Sequence, residues 1–186
     1  FQADKILIAT GGWPHIPDFP GNEHVLSSNE IFDLEQFPKR LVIVGGGYIA
    51  VEFAGIFNGL GAGVTQLYRG PLFLRGFDAD IRAHAAREIA NSGVDLRFEL
   101  NVESISRIDE GLHVCLTDGT TLEADAVLYA TGRKPNLQGL GLENTSIELT
   151  EFNTIRVDDE FRTTQDNVFA LGDVIGGLEL TPVALA

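Results

Sequence analysis

The stretch Arg40–Ala50, RLVIVGGGYIA, decides the fold. A four-residue apolar run after Arg40, the pattern of a buried strand, ends in Gly45-Gly46-Gly47-Tyr48-Ile49-Ala50, which fits G-x-G-x-x-G/A. In that motif the first glycine permits a tight turn, the second (Gly47) lets a pyrophosphate approach the backbone, and the last small residue (Ala50) lets the following helix pack on the strand. Amide groups at the start of the helix then donate to the phosphates.

Working outward, apolar runs recur before glycine turns at KILIATGG (5–12), VTQLYRG (64–70) and AVLYATGR (126–133), with helix-like stretches at Tyr48 to Leu60 and Asp78 to Asn91. Strands that alternate with helices predict a parallel sheet covered on both faces. From Val94 to Leu122 the pattern shifts to short alternating segments broken at Asp109 to Gly111 and at Asp118-Gly119, the latter a hairpin signal. The expected fold is α/β: a Rossmann-like parallel sheet with helices and an inserted antiparallel β-meander. Residues 4–12, DKILIATGG, and 125–133, DAVLYATGR, share Asp, Ala, Thr and Gly in register. Such a repeat suggests two related nucleotide domains, one inserted in the other: 1–11 and 136–186 as pieces of the first, 12–135 as the second.

Composition narrows the function. The 186 residues carry 13 Lys+Arg against 27 Asp+Glu, a net charge of −14 that disfavours nucleic acid and anionic membrane surfaces as partners. No apolar run approaches the roughly 18 residues of a membrane span, and the N-terminus lacks the pattern of a secretory signal, so the sequence reads as soluble and cytoplasmic. One cysteine, Cys115, excludes an intramolecular disulfide, and the four histidines, His15, His24, His84 and His113, lack metal-ligand spacing. Cys115 reads as a structural thiol. The 21 glycines exceed the usual ~7% and gather where backbone must turn or meet a ligand. A start at Phe1 and the lack of any methionine suggest a piece excised from a longer protein.

The end of the second strand selects the coenzyme. NAD enzymes place an acid there for the ribose 2′-hydroxyl, whereas NADP calls for cations. Here the sequence has Tyr68, Arg69 and then Arg75, in YRGPLFLRGFD. Arginine's planar fork suits bidentate recognition of phosphate.

The motifs VIVGGGYIAVEFAG, YRGPLFLRGFD, YATGRKPN, VFALGDV and ELTPVALA, spread over nearly the whole chain, resemble those of the flavin-containing pyridine nucleotide-disulfide oxidoreductases. The likeness is strongest to the branch that reduces glutathione disulfide with NADPH and FAD as a homodimer. That resemblance implies the three-layer FAD/NAD(P)-binding fold. It also implies roles: Gly45, Gly46, Gly47 and Ile49 at the pyrophosphate turn, Arg69 and Arg75 as a 2′-phosphate clamp, and Gly132 beside the adenosine. Tyr48 resembles the tyrosine that covers the flavin and swings aside for nicotinamide, and Glu52, one turn later on the same face, the carboxylate near the nicotinamide amide. Thr10 and Gly11 would close a strand of the FAD domain, Asp173 would bind the ribityl side of FAD, Thr181 would meet the flavin through its backbone, and Glu179 the nicotinamide through its own.

The family's first FAD-binding glycine motif, its Cys-x4-Cys pair and its C-terminal dimerisation domain with the catalytic histidine have no counterpart in these 186 residues. Two alternatives remain open. One is a relative acting on another disulfide, trypanothione above all; the other is a dinucleotide-binding module that catalyses nothing. NADH-dependent relatives are disfavoured by Tyr68 and the arginines.

Overall fold

The computed structural model describes residues 2–185. In chain order the elements are β1 (Ile6–Ile8), β2 (Gly12–Pro14), β3 (Arg40–Val44), α1 (Tyr48–Gly59), β4 (Gly63–Tyr68), α2 (Ala79–Asn91), β5 (Asp95–Phe98), β6 (Val102–Ile108), β7 (Gly111–Leu116), β8 (Thr121–Ala124), β9 (Ala126–Tyr129), β10 (Arg133–Pro135), β11 (Val168–Ala170) and α3 (Thr181–Leu185). Contacts divide the chain into two units, Pro14–Gly132 and the remainder, which comprises residues up to Trp13 and from Arg133 onward.

In the unit Pro14–Gly132 a four-stranded parallel sheet runs in the order β5-β4-β3-β9. β3 is central, and its apolar run divides between two cores. Leu41 and Ile43 face one cluster with Ala50, Phe53, Ala54 and Phe57 of α1, while Val42 and Val44 face another with Val114 and Leu116 of β7. A strand buried on both faces needs side chains without polar groups on both, which is why RLVIV does not alternate. In α1 the buried positions 50, 53, 54 and 57 form one stripe at the helical repeat, and that stripe fixes which face meets the sheet. The second face of the sheet is covered by the antiparallel meander β6-β7-β8.

Three expectations need correction. The segment Asp95–Phe98 is the parallel edge strand β5, in register with β4 from Thr65↔Asp95 to Tyr68↔Phe98, and the meander begins only at Val102. An edge strand is half-exposed and alternates polar with apolar as an antiparallel strand does, so Asp95 and Arg97 mimicked the meander pattern. Helix α2 begins at Ala79, with Asp78 outside it as the cap, its carboxylate accepting from the Asp80 and Ile81 N–H groups. Helix α1 ends one residue before the expected Leu60. The hairpin at Asp118-Gly119 is present, with Gly119 at φ 82°.

The starts of β3 and β9 are joined by Arg40. Its guanidinium donates to the Asp125 carboxylate at 2.8 and 3.0 Å and to Glu123 at 2.7 Å. Burial pushes the Asp125 carboxyl up, but the bonds from Arg40 and from the Lys39 and Arg40 backbone N–H groups more than offset that and leave it below its ordinary value.

In the other unit β1 pairs in parallel with β11, Ile6↔Val168 to Ile8↔Ala170, above a core of Ile8, Ile155, Val168, Ala170 and Val174. β2 pairs with β10.

Candidate dinucleotide-binding site

The chain leaves β3 for α1 and β4 on one side, and β9 lies on β3's other side. The carboxyl end of β3 is therefore a topological switch point, the place where open α/β sheets leave a crevice for ligands. The glycine turn sits there. A Cβ on Gly45, at φ 150°, would lie 2.2 Å from the Ala130 carbonyl oxygen at the end of β9, so the approach of that strand requires glycine. A Cβ on Gly46 would lie 2.3 Å from the Tyr68 ring, whereas one on Gly47 would meet nothing within 4 Å. The protein's own packing explains two of the glycines; at Gly47 the space beside the backbone is open. Gly47 caps α1 with no side-chain acceptor, and the first turn of α1 holds no acid to compete with an anion. Ala50 is fully buried and Ile49 packs against the core on the helix side of the sheet.

The segment after β4 is fastened to this turn. The Leu74 N–H donates to the Gly46 carbonyl at 2.6 Å, and the Arg82 guanidinium of α2 donates to the Phe73 and Leu72 carbonyls at 2.7 and 2.5 Å. Phe73 is fully buried, edge-on to Phe98. Arg69 and Arg75 project from this anchored loop, exposed. In a chain of net charge −14, Arg69, Arg75 and Arg107 are the arginines with no hydrogen-bond or ion-pair partner among the described residues.

Tyr48 and Glu52 stand four residues apart on α1, both exposed, on the face opposite the buried stripe. Gly132 follows β9 and is exposed, its carbonyl accepting from the His15 N–H at 2.9 Å. The structure thus brings Gly45, Gly46, Gly47, Ile49, Arg69 and Arg75 to one end of the sheet.

The remaining predicted residues lie in the other unit. Thr10 donates its hydroxyl to the Asn136 carbonyl at 2.7 Å, and the Gly11 carbonyl accepts from the Asn136 N–H at 2.8 Å. Asp173, half-buried in the turn Gly172–Ile175, has its Cβ 3.6 Å from where a Cβ on Gly12 would sit. Glu179 and Thr181, at the start of α3, are exposed.

Sequence reasoning missed Gln66, Tyr68's contact with Gly46, the Leu74 bond and Arg82. The signal available was Gln66 itself, an amide in an otherwise apolar strand position. The Cys115 Sγ lies 3.7 Å from His113 Nδ1 on the meander, away from the glycine turn, and no cluster of metal-ligating side chains exists among the described residues. A cavity of about 490 Å³ lined by Leu26, Leu34, Phe37, Lys39, Arg107 and Asp125 opens at the opposite, amino end of β3 and β9, and none of the predicted residues line it.

Residues 1–186 match the family model described as pyridine nucleotide-disulphide oxidoreductase. Among similar proteins, a glutathione reductase from Burkholderia cepacia is 49% identical over 99% of this chain and 41% of its own length. A trypanothione reductase from Trypanosoma congolense is 44% identical over 99% of this chain and 38% of its own. The HOCl-induced flavoprotein disulfide reductase RclA of Escherichia coli superposes with a TM-score of 0.92 at 38% identity, over 97% of this chain and 42% of that one. The chain thus spans about two-fifths of the length of these relatives. No helix among the described residues is long and apolar enough to cross a membrane.

Proposed function

Because the chain belongs to the pyridine nucleotide-disulphide oxidoreductase family, we propose that it is the NADPH-binding region, with adjoining parts of the FAD-binding domain, of a flavoprotein that reduces glutathione disulfide. On this reading residues 12–135 bind NADPH, and 1–11 and 136–186 belong to the FAD-binding domain of a homodimeric parent enzyme. The observation that carries the proposal is the pair Arg69 and Arg75, unpaired and exposed on a loop bonded to the glycine turn.

The residues fit the dinucleotide. The backbone at Gly47 is open to a ligand, with no protein atom within 4 Å of where a Cβ would sit, and the first turn of α1 carries no acidic side chain to repel a phosphate from its amides. Arg69 and Arg75 supply two guanidiniums for a 2′-phosphate. Tyr48 and Glu52 hold the nicotinamide end, Tyr48 as the movable cover of the flavin face and Glu52 as acceptor of the amide N–H. Gly132 borders the adenosine, and the Glu179 backbone contacts the nicotinamide. Thr10, Gly11, Asp173 and Thr181 hold their share of the FAD site. When bound, NADPH supplies the hydride and FAD accepts it.

The identities of 49% and 44% to glutathione and trypanothione reductases support the same chemistry with either disulfide. The reading is tested by titrating the chain with 2′,5′-ADP and with 5′-AMP, which share everything but the 2′-phosphate. Tighter binding of 2′,5′-ADP supports the arginine clamp; equal binding refutes it.

A further inference from the structure

Gln66 lies in β4 with 1% of its surface exposed, between the apolar side chains of a parallel sheet. Its Nε2 donates to the Gly45 carbonyl at 3.1 Å, and its Oε1 has no partner among the described residues. A buried amide oxygen left unpaired is a cost to the fold, and an apolar side chain of the same length avoids it. What the amide contributes in return is local. A peptide is planar and trans, so its C=O and N–H point in opposite directions. By holding the Gly45 oxygen towards β4, Gln66 turns the Gly46 N–H away from β4. The next peptide is held the same way: the Gly46 oxygen accepts from Leu74, which turns the Gly47 N–H away from that loop.

We infer that Gln66 is a positioning residue for the glycine turn, orienting the Gly45–Gly46 peptide for the pyrophosphate at the expense of fold stability. This rests on the dinucleotide reading above, and on nothing specific to the 2′-phosphate. Its consequences are therefore distinct from those of the arginines. NADPH and NADH carry the same pyrophosphate, so loss of the Gln66 bond weakens both alike, while loss of Arg69 and Arg75 separates them.

The test is Gln66→Met, which keeps the length and removes the amide, studied in the full chain by calorimetry with NADPH and NADH and by thermal melting. The expected result is an unchanged or raised melting temperature with a loss of roughly two- to tenfold in affinity for both coenzymes, the worth of about one hydrogen bond, and an unchanged NADPH-to-NADH ratio. Unchanged affinities overturn the inference, as does a lowered melting temperature that accounts for the loss of binding. If Gln66→Met does not fold, Gln66→Asn, whose amide is one methylene short of Gly45, must show the same parallel loss. If the unsubstituted chain binds neither coenzyme, the dinucleotide reading itself fails, a result independent of any substitution.

Discussion

The Leu74 N–H donates to the carbonyl of Gly46 at 2.6 Å, so the loop that carries Arg69 and Arg75 is fastened at one point to the turn expected to hold the pyrophosphate. Leu74 adopts φ 55°, a conformation glycine enters without strain, so Leu74→Gly retains the bond and is expected to leave NADPH affinity intact. Arg82 braces the same loop from α2 through two carbonyls. Arg82→Met is predicted to lower NADPH affinity by roughly three- to tenfold and to leave NADH much less affected, since the substitution frees the arginine loop more than the turn. Calorimetry with both coenzymes checks this, and equal losses would place the effect in the sheet.

Tyr48 and Glu52 are both exposed on α1, free to meet a ligand. In the proposed flavoprotein parent Tyr48→Gly is predicted to keep NADPH affinity within about threefold, because the charge-assisted contacts proposed for the phosphates do not involve Tyr48, while changing flavin fluorescence or the rate of flavin reduction. A stopped-flow trace identical to that of the unsubstituted enzyme would remove Tyr48 from the site.

Disulfide reduction needs two redox sulfurs, and this chain holds one cysteine, Cys115, on the meander beside His113. The 186-residue chain with added FAD is expected to show no NADPH-dependent reduction of glutathione disulfide above the buffer blank. Turnover that survives Cys115→Ser would show that the reaction uses other chemistry.

The Arg40–Asp125 pair gives a pH dependence of fixed sign. The Asp125 carboxyl lies below its ordinary value of 3.8 in the folded chain, so its stabilisation is fully present above that value and is lost as pH falls through the lower, folded one. Asp125→Asn should lower the melting temperature by a few degrees at neutral pH, and the gap to the unsubstituted chain should close below pH 3.8. A gap that persists in acid would assign the effect to packing.

Much of this was legible in the sequence because it depends on local pattern. The run RLVIVGGGYIA announces a strand, a turn and a helix, and all three are present at the expected residues. That Arg69 and Arg75 follow the second strand at that end of the sheet was legible from their distance to the turn. What escaped depends on partners far along the chain. Nothing in the residues around Gln66 reveals that its amide reaches Gly45, 21 positions earlier, or that Arg82 braces the loop at Phe73. β5 was misplaced because an edge strand of a parallel sheet carries the same alternation as a meander strand, and only its neighbour β4 tells them apart.

Whether Arg69 and Arg75 read a 2′-phosphate is decided by calorimetry of NADPH and NADH on the chain and on Arg69→Ala/Arg75→Ala. The two coenzymes differ only in that phosphate, and a hydrogen bond to a charged group is worth about 1.5 to 3 kcal/mol. NADPH is expected to bind more tightly than NADH, with a gap that narrows as salt rises, and in the double variant NADPH is expected to lose roughly one to three orders of magnitude with NADH nearly untouched. Equal losses for both coenzymes, or no preference in the unsubstituted chain, would contradict it.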